Sequence, residues 1–251
     1  MKSRARFSEL PIGSIHPEGW LRRFLELQRH GLTGNLEVAG YPFDTCAWAG
    51  PTIPHRSGSA WWPYEQTAYW IDGMIRCGRL LGDKALTDKA LEQIHYVVKT
   101  ADRDGFLGPQ SIRNEEGRWH HAVLFRAFMA EHSATGDDRL VEAMIRHFLN
   151  KSSMHCNHRD AANIEPILWA YHLSGEKDLL THAKKAFHEY NQRHAAADTS
   201  VASMLTNAMS TGHGVSFCEL GKLGAIVYLF TGEEEFLRAS VNGFLKLDRD
   251  Q

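Results

Sequence analysis

The sequence has little that would tie it to a charged polymer or a membrane. Its formal net charge is −2 over 251 residues, so there is no basic excess to attract nucleic acid. No apolar run reaches the roughly 18 residues a membrane helix needs. The opening "MKSRARFSELPIG" has basic residues but no apolar core, which argues against a signal peptide. With Met1 as the native start, a cytoplasmic chain is expected. The cysteines number four. Cys46, Cys77, Cys156 and Cys218 never fall in CxxC spacing, so neither a disulfide framework nor a zinc knuckle is indicated. Cys77 and Cys218 lie in helical runs and read as small apolar fillers. Alternating β-branched segments are missing, which argues against a substantial sheet. GxSxG, P-loop and GxGxxG motifs are absent too.

What the chain does have is a repeated helical design. Hydrophobic residues make up 43%, enough for a full core in one large domain or two small ones. "LLGDKALTDKALE", "ATGDDRLVEAM", "LSGEKDLLTHAKKA" and "FTGEEEFLRAS" each join an apolar helical end to a new helix through Gly and an acidic residue. Gly82, Gly136, Gly175 and Gly232 end one helix, and the acidic residue suits the positive end of the next. The reading is four helix hairpins, eight helices, with one more over 16–32 where Pro17 suits the first turn. The long connections, 100–118, 150–163 and 192–213, all fall at the same end of the hairpins, and long loops in compact domains are usually functional. This predicts an all-α chain, 1–251 as a single domain. Its hairpins form an incomplete (α/α)6 toroid, cut off before the ring closes, with a cleft at the loop end. An open ring exposes apolar hairpin faces, which favours self-association.

Candidate site residues cluster in those loops and at the helix starts beside them. "WWPYEQTAYWIDG" sets Glu65, Tyr69 and Asp72 on one helical face, flanked by Trp61, Trp62, Tyr64 and Trp70. Aromatic rings stack on sugar faces and carboxylates accept sugar hydroxyls; a solvated face with an aromatic anchor is the plainer alternative. Glu65 and Asp72 are not a catalytic pair. Seven helical residues span ~10.5 Å, beyond the ~5–9.5 Å of glycosidase carboxylates. "RWHHAVLF" puts Trp119, His120 and His121 at another helix start, where one histidine must turn away from the other; substrate contact and structural burial stand about even. "MHCNHRD" offers His155, Cys156 and His158, a weak metal signal. Asn163 reads as an N-cap before Pro166. His95, His132, His147, His172, His182, His188 and His194 fall on helices as solvated or packing residues. "STGHGVSFCELGK" places His213 between Gly212 and Gly214 at a helix N-terminus. Val215, Leu220, Leu223, Val227 and Phe230 follow at helical spacing. The dipole there disfavours imidazolium. On these residues alone a capping histidine is favoured.

Six phrases resemble glycoside hydrolase family 127, the β-L-arabinofuranosidases, and its near relatives: "LPIGSIHPEGWLRRFLELQRHGLTGNL", "WWPYEQTAYWIDGMIRCGRLLGDKAL", "DGFLGP", "RWHHAVLFRAFMAEHSATGDDRLVEAM", "NIEPILWAYHLSGEKDLLTHAKKA" and "GHGVSFCELGK". They run in the family's order over nearly the whole chain. The resemblance implies an (α/α)6 barrel and retaining hydrolysis of terminal β-L-arabinofuranosides in plant cell-wall glycans. It further implies a zinc-held cysteine nucleophile and a glutamate acid/base, which follow the GHGV helix in the family and are not met in this chain. No residue here is therefore assigned a catalytic or metal role, and no cofactor is expected in this chain. The resemblance assigns His213 to substrate contact and, with Tyr64 and Trp119 beside them, places Glu65 and His121 at the sugar pocket. Ser216 stands where the family usually has Asn, and "MHCNHRD" departs from its pattern. The expected partner is a carbohydrate, neither nucleic acid nor membrane. The alternative is a non-catalytic carbohydrate-binding or assembly protein that keeps the pocket floor.

Overall fold

The computed structural model describes residues 9–45, 48, 62–113, 118–150 and 158–250. All regular structure among them is helical, as expected. The chain divides into two compact units, one over Glu9–Ser153 and one from Met154 onward. The first holds α1 (Gly19–His30), α2 (Leu32–Asn35), α3 (Trp62–Leu81), α4 (Lys84–Lys99), α5 (Gln110–Arg113), α6 (Trp119–Thr135) and α7 (Asp138–Leu149). The second holds α8 (Ile164–Ser174), α9 (Lys177–Arg193), α10 (Val201–Met204), α11 (Gly214–Leu220), α12 (Leu223–Thr231) and α13 (Glu234–Asp250).

Four hairpins form where the Gly-acid pairs predict them: α3–α4, α6–α7, α8–α9 and α12–α13. Gly82, Gly136, Gly175 and Gly232 take φ of 67°, 72°, 76° and 74°, the left-handed region that ends a helix without a Cβ penalty. Three of the acidic residues act as caps. Asp83 accepts from Leu86 N at 2.9 Å, Asp137 from Arg139 N at 3.1 Å and Glu176 from Asp178 N at 3.3 Å. Each satisfies an amide that lacks an intrahelical partner. Asn163 occupies the N-cap of α8 but makes no side-chain cap; its amide instead donates to Asp160 O at 3.2 Å. Pro17 precedes α1 rather than opening it.

In each unit the leading helices of the two hairpins run side by side in the same direction. At their starts the rings of Tyr64 (α3) and His120 (α6) lie 6.0 Å apart. At their far ends Arg79 (α3) and Glu131 (α6) form an ion pair in which the carboxylate is buried. In the second unit Lys222, at the N-cap of α12, meets Glu165 in the first turn of α8 at 2.5 Å. Phe230 and Tyr171, at the opposite ends, have ring centroids 5.8 Å apart. The hairpin partners sit close. A Cβ on Gly78 of α3 would lie 2.5 Å from Thr87 Oγ1 of α4, and one on Gly224 of α12 2.4 Å from Phe236 O of α13. Met74, Ile75, Leu124, Phe125 and Phe128 fill the first core, each worth about 1.5–3 kcal/mol on burial.

Three sequence expectations change. The apolar face after His213 is broken at Gly221 and Lys222, and Val215 is exposed. Cys218 is exposed rather than a filler, whereas Cys77 is buried. Gly214–Thr231 is, by length and composition, apolar enough to cross a membrane, and it is the one such stretch among the described residues. Half of it is buried inside the protein, and its Glu219 and Lys222 are ion-paired to Arg159 and Glu165.

Candidate functional site

In the second unit His213 lines a cavity of about 250 Å³ together with His158, Asp198, Thr199, Thr211, Gly212, Ser216 and Phe217. Its backbone is extended at the N-cap of α11, and Nδ1 accepts from Ser216 N at 3.3 Å. The capping role and the pocket role therefore coexist in one ring. With Nδ1 accepting, the proton sits on Nε2, which has no partner among the described residues. The imidazole is exposed, so a donor is held in fixed orientation on the cavity wall.

Asp198 sets the turn that carries His213. Its Oδ2 accepts from Thr211 N at 2.7 Å and Gly212 N at 2.5 Å. A Cβ on Gly212 would stand 2.9 Å from that oxygen, so glycine is what lets the carboxylate come so near. A Cβ on Gly214 would meet nothing within 4 Å, so only the first glycine of the pair meets a crowded neighbour. Oδ1 of Asp198 has no partner among the described residues. His158 packs against Tyr190 and His194 at ring-centroid distances of 5.9 and 5.5 Å. Burial, reinforced by the charges of His194 and Arg159, pushes its pKa down. The cavity thus joins a donor, a free carboxylate oxygen and three hydroxyl residues to the rings of Phe217 and His158. His155 and Cys156, named with His158 in the sequence, lie outside the described residues.

Among the described residues, those singled out in the first unit are mostly buried. Tyr64, Glu65, His120 and His121 are all buried, and Trp119 is half-buried. The rings of His120 and His121 are not turned apart; both lie in the core, 5.2 Å between centroids. Trp48 fits against them, its indole donating to Tyr64 O at 2.9 Å and its ring 4.9 Å from His121. His121 Nε2 donates to Leu107 O at 2.9 Å, and Leu107 N donates to His147 Nδ1 at 3.0 Å. Two imidazoles therefore clamp the Leu107 backbone from both sides and fix the "DGFLGP" loop. Burial, then the charge of Arg118, pushes the pKa of His121 down to about 3. Burial, then the charges of His121, Arg118 and Arg113, drives His147 well below its usual value. His121 Nδ1 is buried with no hydrogen-bond partner, so both rings are neutral structural groups. Arg118, 2% exposed, donates to Ile112 O and Arg113 O.

Of the face at 65, 69 and 72, only Tyr69 is exposed, at 37%; Asp72 is ion-paired to Arg76 at 2.6 Å. Trp62 is half-buried, and Trp61 lies outside the described residues. Sequence reasoning places His147 among generic helical histidines and passes over Asp198, which sits in a long loop 13 residues from its partner at Thr211. Neither has a local signature. Among the described residues no three His, Cys, Asp or Glu side chains converge to hold a metal. No protein-family model, curated protein or solved structure matches the chain.

Proposed function

We propose that this chain is a carbohydrate-binding helical-hairpin domain of the kind found in β-L-arabinofuranosidases of family 127, its hairpins belonging to an (α/α)6 toroid. The observation that carries the reading is the His213 cavity. A ring pinned by its own helix, with Nε2–H unpartnered among the described residues, lines the same cavity as Asp198, whose Oδ1 is likewise unpartnered. Sugar hydroxyls both donate and accept, so such a donor–acceptor pair beside aromatic rings suits a furanose. The parallel leading helices of each unit support the toroid, because that architecture packs hairpins with their inner helices aligned.

The reading for these 251 residues is binding rather than hydrolysis. Retaining cleavage needs a nucleophile and an acid on opposite sides of the anomeric carbon. The Cys77 thiol is buried, its Sγ 3.4 Å from Leu25 O, and burial raises its pKa, the reverse of what a thiolate nucleophile requires. The described residues gather no ligand set for zinc, so no step is routed through that metal. Contacts made equally to ground and transition state preserve binding without rate.

Saturation-transfer NMR and calorimetry with L-arabinose and methyl β-L-arabinofuranoside test the proposal. Saturable binding with a Kd on the order of 1 mM, weakened at least about tenfold in His213→Ala, is expected. No saturable binding to either sugar, or unchanged affinity in the variant, overturns it.

A further inference from the structure

Each unit carries one helix whose outer face is apolar and uncovered. In α1 no residue is buried. Trp20, Phe24 and Leu27, spaced as one helical stripe, are 80%, 50% and 62% exposed. The helix is twelve residues long; isolated helices of that length are marginal in water. Its opposite side is tied to the hairpin by Arg29 Nε donating to Asp83 at 2.6 Å and by the Cys77 thiol against Leu25 O. In α13 the equivalent stripe is Val241, Phe244 and Leu245, 50%, 43% and 60% exposed. Single exposed apolar residues are ordinary, but two ordered stripes mark interaction surfaces.

The charges on the stripes are complementary. Arg23 falls on the α1 stripe, three residues from Trp20 and four from Leu27, and has no partner among the described residues. Asp248 falls on the α13 stripe, three residues from Leu245, and likewise has none. α1 holds three Arg against one Glu, whereas α13 holds four acidic residues against three basic.

We propose that the α1 stripe of one copy of this chain docks on the α13 stripe of a second copy, head to tail, with Arg23 facing Asp248. Such a contact uses two different patches, so each copy keeps one of each free, and the assembly grows into a ring or an open chain rather than stopping at a two-fold dimer. An anionic membrane would use α1 alone and leave the α13 stripe unexplained. The proposal is independent of the sugar reading.

Analytical ultracentrifugation of the full chain and two variants tests it. Phe24→Glu breaks only the α1 stripe and Leu245→Glu only the α13 stripe; both sites are exposed, and circular dichroism checks that each variant remains helical. The wild type is expected to sediment as species that grow with concentration, each variant alone as a monomer, and their equimolar mixture as a one-to-one dimer that grows no further. Arg23→Asp and Asp248→Arg should each weaken association at least about tenfold, and mixing the two should restore it. A monomeric wild type, a mixture that stays monomeric, or association lost only in α1 variants and accompanied by binding to phosphatidylserine vesicles overturns the proposal.

Discussion

Replacing His121 with Gln should remove part of the acid sensitivity of the first unit. The unfolded chain takes up a proton on this residue near pH 6.5, whereas the folded one resists protonation down to about 3. Between those values the unfolded state binds more protons, so stability falls as pH falls, and above pH 6.5 the effect vanishes. A tenfold difference in proton affinity between the two states corresponds to about 1.4 kcal/mol. The slope per histidine therefore approaches ~1.4 kcal/mol for each tenfold rise in proton concentration, with a ceiling of about 5 kcal/mol. His147 acts with the same sign. From pH 7 to 5 the wild type should therefore lose about 2 kcal/mol through His121, with a further loss of the same sign through His147. Arg118, His120 and His147 lie near the ring, and none offers a carboxylate to accommodate the new charge. In His121→Gln the amide can still donate to Leu107 O, so the cost at pH 7 is about 1–2 kcal/mol, but the loss on acidification should shrink by about 2 kcal/mol. Six of the seven tryptophans lie before residue 121, so urea unfolding followed by tryptophan fluorescence reports this unit. Parallel pH curves for wild type and variant between pH 7 and 5 would show that His121 titrates normally in the fold and refute the reasoning.

Three further outcomes are expected. Gly78→Ala should lose about 1–3 kcal/mol in chemical denaturation despite its better helix propensity, because Thr87 leaves no room; Gly136→Ala, with open space but φ of 72°, should lose only about 1 kcal/mol. Arg79→Met strands the buried Glu131 carboxylate at a cost of about 3 kcal/mol, and adding Glu131→Leu should recover most of it, read by the same denaturation. The purified chain should release no phenol above background from an aryl β-L-arabinofuranoside, with or without zinc; turnover abolished by replacing any one of Cys46, Cys77, Cys156 or Cys218 would show the active site to be misplaced.

The hairpins are legible in the sequence because their signals are local. A glycine that must take positive φ and an acidic residue that must receive an orphan amide sit one position apart at Gly82–Asp83, Gly136–Asp137 and Gly175–Glu176, and tertiary packing leaves those requirements in place. His213 is legible for the same reason: its cap reaches only to Ser216. His121 and Glu65 are not. A helix start beside a long loop reads alike whether the loop opens a cleft or folds down as a lid, and here Phe106 and Leu107 come down with 0% exposure. Asp198 stays hidden because its two acceptor bonds cross a long loop, and His147 because the group it recognises is a backbone amide 40 residues away. The stripes of α1 and α13 illustrate the converse limit. Phe244 and Phe24 look like core residues by spacing, and spacing carries no record of which face finds a partner.

The shared direction of the leading helices has an electrostatic consequence. Peptide dipoles aligned in parallel add rather than cancel, so α3 with α6, and α8 with α12, gather partial positive charge at one edge of their unit and partial negative charge at the other. In α3, α6 and α8 the side chains follow that polarity. Glu65 and Glu165 stand in first turns, while Arg79, His132 and His172 stand in last turns. A proton arriving at His121 enters an already positive field, which adds to the burial and the Arg118 charge that keep this ring neutral. An electron-rich oxygen arriving at the same edge meets a favourable potential before it touches any side chain. Each hairpin pair thus works as a small polarised plate, its polarity set by the chain direction.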